Sequence, residues 1–176
     1  MTVQANQKPV TPWLRRFSYR FAEQVLNSNL ALKNELENVL TAPVDPSLLS
    51  RPSFNEILKQ RFIANGWTGQ PSVFAEADEP GAKMDFLKGR IGIEVGFGHA
   101  SFIGIDLLKF QVSSYSALDK IDVGVYVVTT AKFQKVMKTQ YSQKWEGSLT
   151  FEKVEKYLPH FKSAIQVPIL VLGIEF

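Results

Sequence analysis

Apolar residues at Leu14, Phe17, Phe21 and Val25, and again at Leu32, Leu36, Val39 and Leu40, recur at helical spacing, with the polar Asn27-Ser28-Asn29 between the two sets. The pattern predicts two helices joined by a short turn between Trp13 and Leu40, behind a loose polar tail over residues 1–10. "TAPVDPSLLSRPS" carries three prolines and reads as a connection. A third helix is expected from Ser53: Ser53 and Glu56 have capping-box spacing, and Phe54, Ile57, Leu58 and Phe62 form a stripe. Asn65-Gly66-Trp67 ends it. Residues 68–82 read as a loop with a short strand at Ser72 to Phe74.

The periodicity then changes. "RIGIEVGF" (90–97) and "KIDVGVYVVTT" (120–130) are rich in valine and isoleucine and predict central strands. Between them Ile103, Leu107, Phe110 and Tyr115 fall at helical spacing, which makes a strand–helix–strand crossover of right-handed sense. "SLTFEKVEKYL" (148–158) predicts a helix capped by Ser or Thr. "SAIQVPILVLGIEF" predicts a closing strand, with Pro168 at an edge or a strand start. The class is α/β, in a single domain over 1–176, with a helical part at 1–50 and the core at 51–176.

Length and composition narrow the chemistry. The chain has 176 residues, 45% hydrophobic and 21% charged, as expected of one globular domain. It has no cysteine, which excludes disulfides, zinc–thiolate sites and cysteine nucleophiles. The N-terminus lacks the apolar stretch of a signal peptide and no run is long enough for a membrane helix, so a cytoplasmic protein is expected. A net charge of +3 permits a nucleic-acid partner without demanding one.

Two acids fit their surroundings poorly. Asp85 starts an apolar run and Glu94 lies inside "IGIEVGF". A turn at Leu87-Lys88-Gly89 would fold the chain back and bring the two carboxylates together, where their repulsion raises a pKa unless a divalent cation neutralises them. Mg2+ takes one or two carboxylates with water and phosphate oxygens, and Mn2+ can substitute. In the alternative reading Asp85 caps a turn and Glu94 pairs with Lys83, Lys88 or Arg90. Spacing alone leaves both open.

"MDFLKGRIGIEVGFGHASFIGIDLLKFQ", followed by "IDVGVYVVTT", resembles the core of restriction endonucleases of the BglII/BstYI type, in the PD-(D/E)XK nuclease superfamily. "SFNEILKQRFIANGW" upstream and "IQVPILVLGIEF" downstream are similar to that family's flanking helix and closing strand, so the resemblance spans Pro52 to Phe176. It implies a restriction endonuclease-like fold, a central mixed β-sheet flanked by helices. It also implies a Mg2+-dependent type II deoxyribonuclease acting on double-stranded DNA as a homodimer, with a DNA methyltransferase as a partner in restriction–modification. Asp85 and Glu94 fall on the metal-binding acids, and Glu56 on a helix-borne acid that completes the site.

Position 96 departs from the family, which has Gln there, as the wider superfamily often has Lys; here it is Gly96. That residue shares a strand face with Glu94 and would hold water or phosphate. His99, in "FGHAS", is the nearest substitute. Cleavage then either works with a replacement or has been lost in a protein that still binds DNA; a plain interaction domain with structural acids is the third reading. For DNA contacts the lysine-rich segment 132–148 is the candidate, through Lys132, Lys135, Lys138, Gln140 and Lys144, with Trp145 interleaved. Arg15, Arg16 and Arg20 give a second basic cluster on the first expected helix.

Overall fold

A computed structural model describes residues 8–73, 83–115 and 119–176. The first seven residues of the expected tail, Phe74 of the expected short strand and residues 116–118, the end of the helix expected from Ile103 to Leu118, lie outside these. Ser72 makes a single antiparallel bridge to Lys83. Six strands form one mixed sheet: β1 (Trp13–Tyr19), β2 (Thr68–Gly69), β3 (Phe86–Lys88), β4 (Ile91–Val95), β5 (Val123–Thr129) and β6 (Ile169–Glu175). Their order is β1-β6-β5-β4-β3-β2. β4, β5 and β6 run parallel, while β1, β2 and β3 pair antiparallel with their neighbours.

Trp13 to Tyr19 is therefore a strand, not the helix that its spacing predicts. The register Trp13↔Glu175 to Tyr19↔Ile169 lays it along β6, whose ladder groups would otherwise lack partners on that side. Arg20 and Phe21, at φ 50° and 58°, break the strand and lead into helix α1 (Ala22–Asn27). Pro168 stands at the start of β6, which is an interior strand.

Five further helices follow: α2 (Leu30–Thr41), α3 (Arg51–Ala64), α4 (Ile103–Tyr115), α5 (Ala131–Tyr141) and α6 (Phe151–Tyr157). The cap of α3 is Ser50, whose side chain accepts the Ser53 N–H at 3.3 Å, so the helix starts two residues before the expected capping box. α1, α2, α3 and α5 pack on one sheet face through Leu26, Leu36, Phe54, Phe62 and Phe133. α4 and α6 cover the other through Leu107, Phe110, Phe151 and Val154. Burying each such side chain contributes about 1.5–3 kcal/mol, which is why the helices hold their apolar stripes against the sheet. Tyr115, grouped by spacing with the buried face of α4, is exposed instead.

Candidate active site

The site grows from the β3–β4 hairpin. Gly89, at φ 57°, takes the first position of a two-residue turn between Lys88 and Ile91, a conformation that costs glycine little. Phe86 pairs with Ile93, so Asp85 stands opposite Glu94 one step further along, on the same face. Ile91, Ile93 and Val95 point into the core under α3, which turns Gly92, Glu94 and Gly96 towards α4.

Both carboxylates line one cavity of about 210 Å³, together with Gly96, His99, Asp106, Lys109 and Tyr126. Asp85 Oδ2 accepts the Val95 N–H at 2.7 Å, and Oδ1 accepts from Gln70 Nε2 at 3.2 Å. Glu94 is 3% exposed. Its Oε2 accepts from Lys109 Nζ at 3.2 Å, while its buried Oε1 has no partner among the described residues. Two of the expected alternative partners are engaged elsewhere: Lys88 with Glu35, and Arg90 with Asp119 and Asp122.

Burial dominates the electrostatics. Burial first, then the Asp85 charge, pushes Glu94 up to about 9, with Lys109 only partly offsetting them. Burial also raises Asp85, against the Val95 N–H bond and the Lys109 charge. Asp106 is raised by burial against its bond from Tyr126. Burial alone would pull the Lys109 ammonium down, but the Glu94 and Asp106 carboxylates outweigh it and hold the group above its ordinary value. Three carboxylates thus share one ammonium, a pocket with charge to spare for a cation. No group of three or more His, Asp or Glu fit to hold a metal occurs among the described residues. Asp85 and Glu94, with Oε1 unpartnered, match the two-carboxylate demand of Mg2+ rather than that of a closed protein cage.

The four expected catalytic residues separate. Asp85, Glu94 and His99 meet in the cavity. His99 sits at its exposed rim, where Nδ1 accepts the Ser101 N–H at 3.2 Å and caps a short 3-10 turn. Glu56 lies outside the cavity lining; it is exposed and accepts from Gln60 Nε2 at 3.3 Å. Its neighbour Asn55 instead lines an adjoining groove with Arg51, Val95 and Gly98. One residue along a helix is a 100° rotation, enough to turn Glu56 away. Sequence reasoning missed Asp106, Lys109 and Tyr126. The available signal was an Asp and a Lys three residues apart inside the otherwise apolar "FIGIDLLKF".

On α5, Lys132 and Lys138 are exposed but paired with Glu175 and Glu146. Lys135, Gln140 and Lys144 are exposed too. Trp145 does not face outward: it is 1% exposed, donates to the Leu49 carbonyl at 3.0 Å and packs its ring 4.9 Å from that of Phe133. The second basic cluster is also satisfied internally. Arg15 and Arg16, on β1, pair with Glu152 and Glu37, and Arg20 donates to the Ile165 and Lys162 carbonyls.

The family described as "Restriction endonuclease BglII/BglIII" matches residues 14–174. The chain belongs to that family. Membership in the BglII/BglIII family places it among the type II site-specific deoxyribonucleases. A crystal structure of restriction endonuclease BglII complexed with a DNA 16-mer has the same fold: TM-score 0.72, 17% identity, covering 93% of this chain and 78% of that one. No curated protein matches the sequence. No helix among the described residues is long and apolar enough to cross a membrane.

Proposed function

We propose that this BglII/BglIII-family chain hydrolyses phosphodiester bonds of double-stranded DNA with Mg2+ held by Asp85 and Glu94. The observation that carries the reading is the convergence of these two carboxylates, Glu94 from β4 and Asp85 from just before its partner β3, in one cavity with a buried Glu94 oxygen left unpartnered. Bound there, a divalent ion supplies neutralising charge and acidifies a water. The chain's own residues do the rest. The Val95 N–H fixes the Asp85 carboxylate, the hairpin register fixes Glu94 beside it, and Lys109 supplies positive charge. Water adds to phosphorus, one P–O ester bond breaks, and the leaving oxygen takes up a proton.

Exposed Lys135, Gln140 and Lys144 on and after α5 are the groups offered to DNA, where lysines release counterions. A second copy of the chain is proposed to dock along α4. Ile105, Leu108 and Tyr115, on one side of α4, are 45%, 49% and 63% exposed, and Phe102, in the 3-10 turn just before it, is 57% exposed; the same helix carries Asp106 and Lys109. Two such sites, related by a two-fold axis, would cut both strands of a duplex. A DNA methyltransferase would then protect the host sites.

The test is plasmid cleavage in Mg2+ or Mn2+, paired with calorimetric Mn2+ binding. Wild type should cut, and Asp85→Asn and Glu94→Gln should each lose both cleavage and binding. A folded wild type that neither cuts any DNA nor binds Mn2+ would refute the reading.

A further inference from the structure

We propose that Lys109, on helix α4, is the catalytic cation of this site: it stands in for the side chain missing at position 96 and donates to a non-bridging oxygen of the scissile phosphate. The proposal rests on the nuclease reading above. Gly96 is not an empty place waiting for a side chain. A Cβ there would lie 2.8 Å from Tyr126 Cε2 and 3.1 Å from Val128 Cγ1, so the Tyr126 ring already fills the space beside Glu94. The position just after β4 therefore has no room to present a cation.

The same ring organises the replacement. Tyr126 donates its hydroxyl to Asp106 Oδ2 at 2.7 Å, and Asp106 Oδ1 lies 3.5 Å from Lys109 Nζ. Lys109 in turn reaches Glu94 at 3.2 Å with its side chain only 14% exposed. Leu107 and Phe110, buried against the sheet, fix the rotation of α4 about its axis and hence where Lys109 points. An ammonium has three N–H donors. Glu94 and Asp106 draw two of them, which leaves a third for an oxygen brought into the cavity by DNA.

The experiment measures plasmid cleavage and Ca2+ binding by calorimetry in wild type, Lys109→Met and Lys109→Arg. Lys109→Met should lower kcat by about a hundredfold, the scale of removing one preorganised donor to a transition-state oxygen, with KM within about threefold. Lys109→Arg, which keeps the charge, should recover part of the loss. Ca2+ binding to Lys109→Met should tighten several-fold, because the ammonium that competes for the acid pair is gone. Tyr126→Phe keeps the ring and deletes only the hydroxyl behind Asp106, so kcat should fall about tenfold in a protein that stays folded, as circular dichroism reads. Wild-type kcat in Lys109→Met or in Tyr126→Phe overturns the proposal and leaves the nuclease reading standing. Loss of Ca2+ binding in step with kcat overturns it as well, since Lys109 would then be only a structural prop. A wild type that cuts nothing removes the nuclease reading and this proposal with it.

Discussion

Lys109 Nζ lies 3.2 Å from Glu94 Oε2, joining the helix after β4 to the acid inside β4. Glu94 and its crossover helix are thus one electrostatic unit, buried together and facing Asp85 across the hairpin. The single ammonium cannot balance three ionised carboxylates, so without a cation Glu94 keeps its proton while Asp85 and Asp106 crowd it.

That imbalance fixes the pH dependence of stability. Glu94 is raised in the folded protein from 4.5 to about 9, so the folded state binds its proton more tightly than the unfolded chain does. The stabilisation is fully present below about 4.5 and disappears as pH rises through about 9. The charges of Asp85, just before β3, and Asp106, on α4, push Glu94 the same way, while that of Lys109 opposes them, with Tyr126 and His99 completing the surroundings. The melting temperature of metal-free protein should therefore fall from about pH 5 to about pH 9. Glu94→Gln should flatten that slope, and millimolar Ca2+ should raise the melting temperature most at the alkaline end. A flat wild-type profile contradicts the assignment.

Restoring a side chain at position 96 should do harm. Gly96→Gln brings a Cβ within 2.8 Å of the Tyr126 ring, and overpacking of this kind costs about 1–3 kcal/mol. Denaturant unfolding should show that loss, and cleavage should fall rather than rise. A stable, more active Gly96→Gln enzyme would mean that the ring yields.

The lysines of α5 and its following loop should differ in effect on DNA binding. Lys135→Ala combined with Lys144→Ala should reduce the slope of log K against log salt by about 1.8, roughly 0.9 per phosphate contact. Lys132→Ala and Lys138→Ala should change it less, since Glu175 and Glu146 already take up those charges. Filter binding across a salt series reads both.

An interface on α4 makes a separate prediction. Leu108→Glu puts a charge in the middle of the exposed apolar side formed by Phe102, Ile105 and Tyr115. Light scattering should report a dimer for wild type and a folded monomer for the variant. Plasmid should then accumulate as nicked circles. A wild type that stays monomeric on DNA excludes this face.

The parts of the site legible in the sequence are those set by local periodicity. The turn expected at Leu87-Lys88-Gly89 brings Asp85 and Glu94 together; the structure shifts it to Gly89-Arg90, with Leu87 and Lys88 in β3, and this register is what sets Asp85 opposite Glu94. Lys109 was not legible, because its role depends on how far α4 is rotated about its own axis, which packing of Leu107 and Phe110 decides. Trp145 misled for a related reason: a polar, lysine-rich stretch says nothing about one aromatic residue within it that turns inward to Phe133 and the Leu49 carbonyl. β1 was misread because a strand made by non-local pairing carries little signal of its own; Leu14 and Phe17 fit a helical period as well as a strand.

The pairing of β1 with β6 has a consequence for how the chain is made. Every other strand of the sheet lies between them in the chain, so β1 can pair only after all the intervening segments and β6 have been synthesised. Until then Trp13, Leu14 and Phe17 have no ladder to join, and nascent chains carry an unpartnered apolar strand.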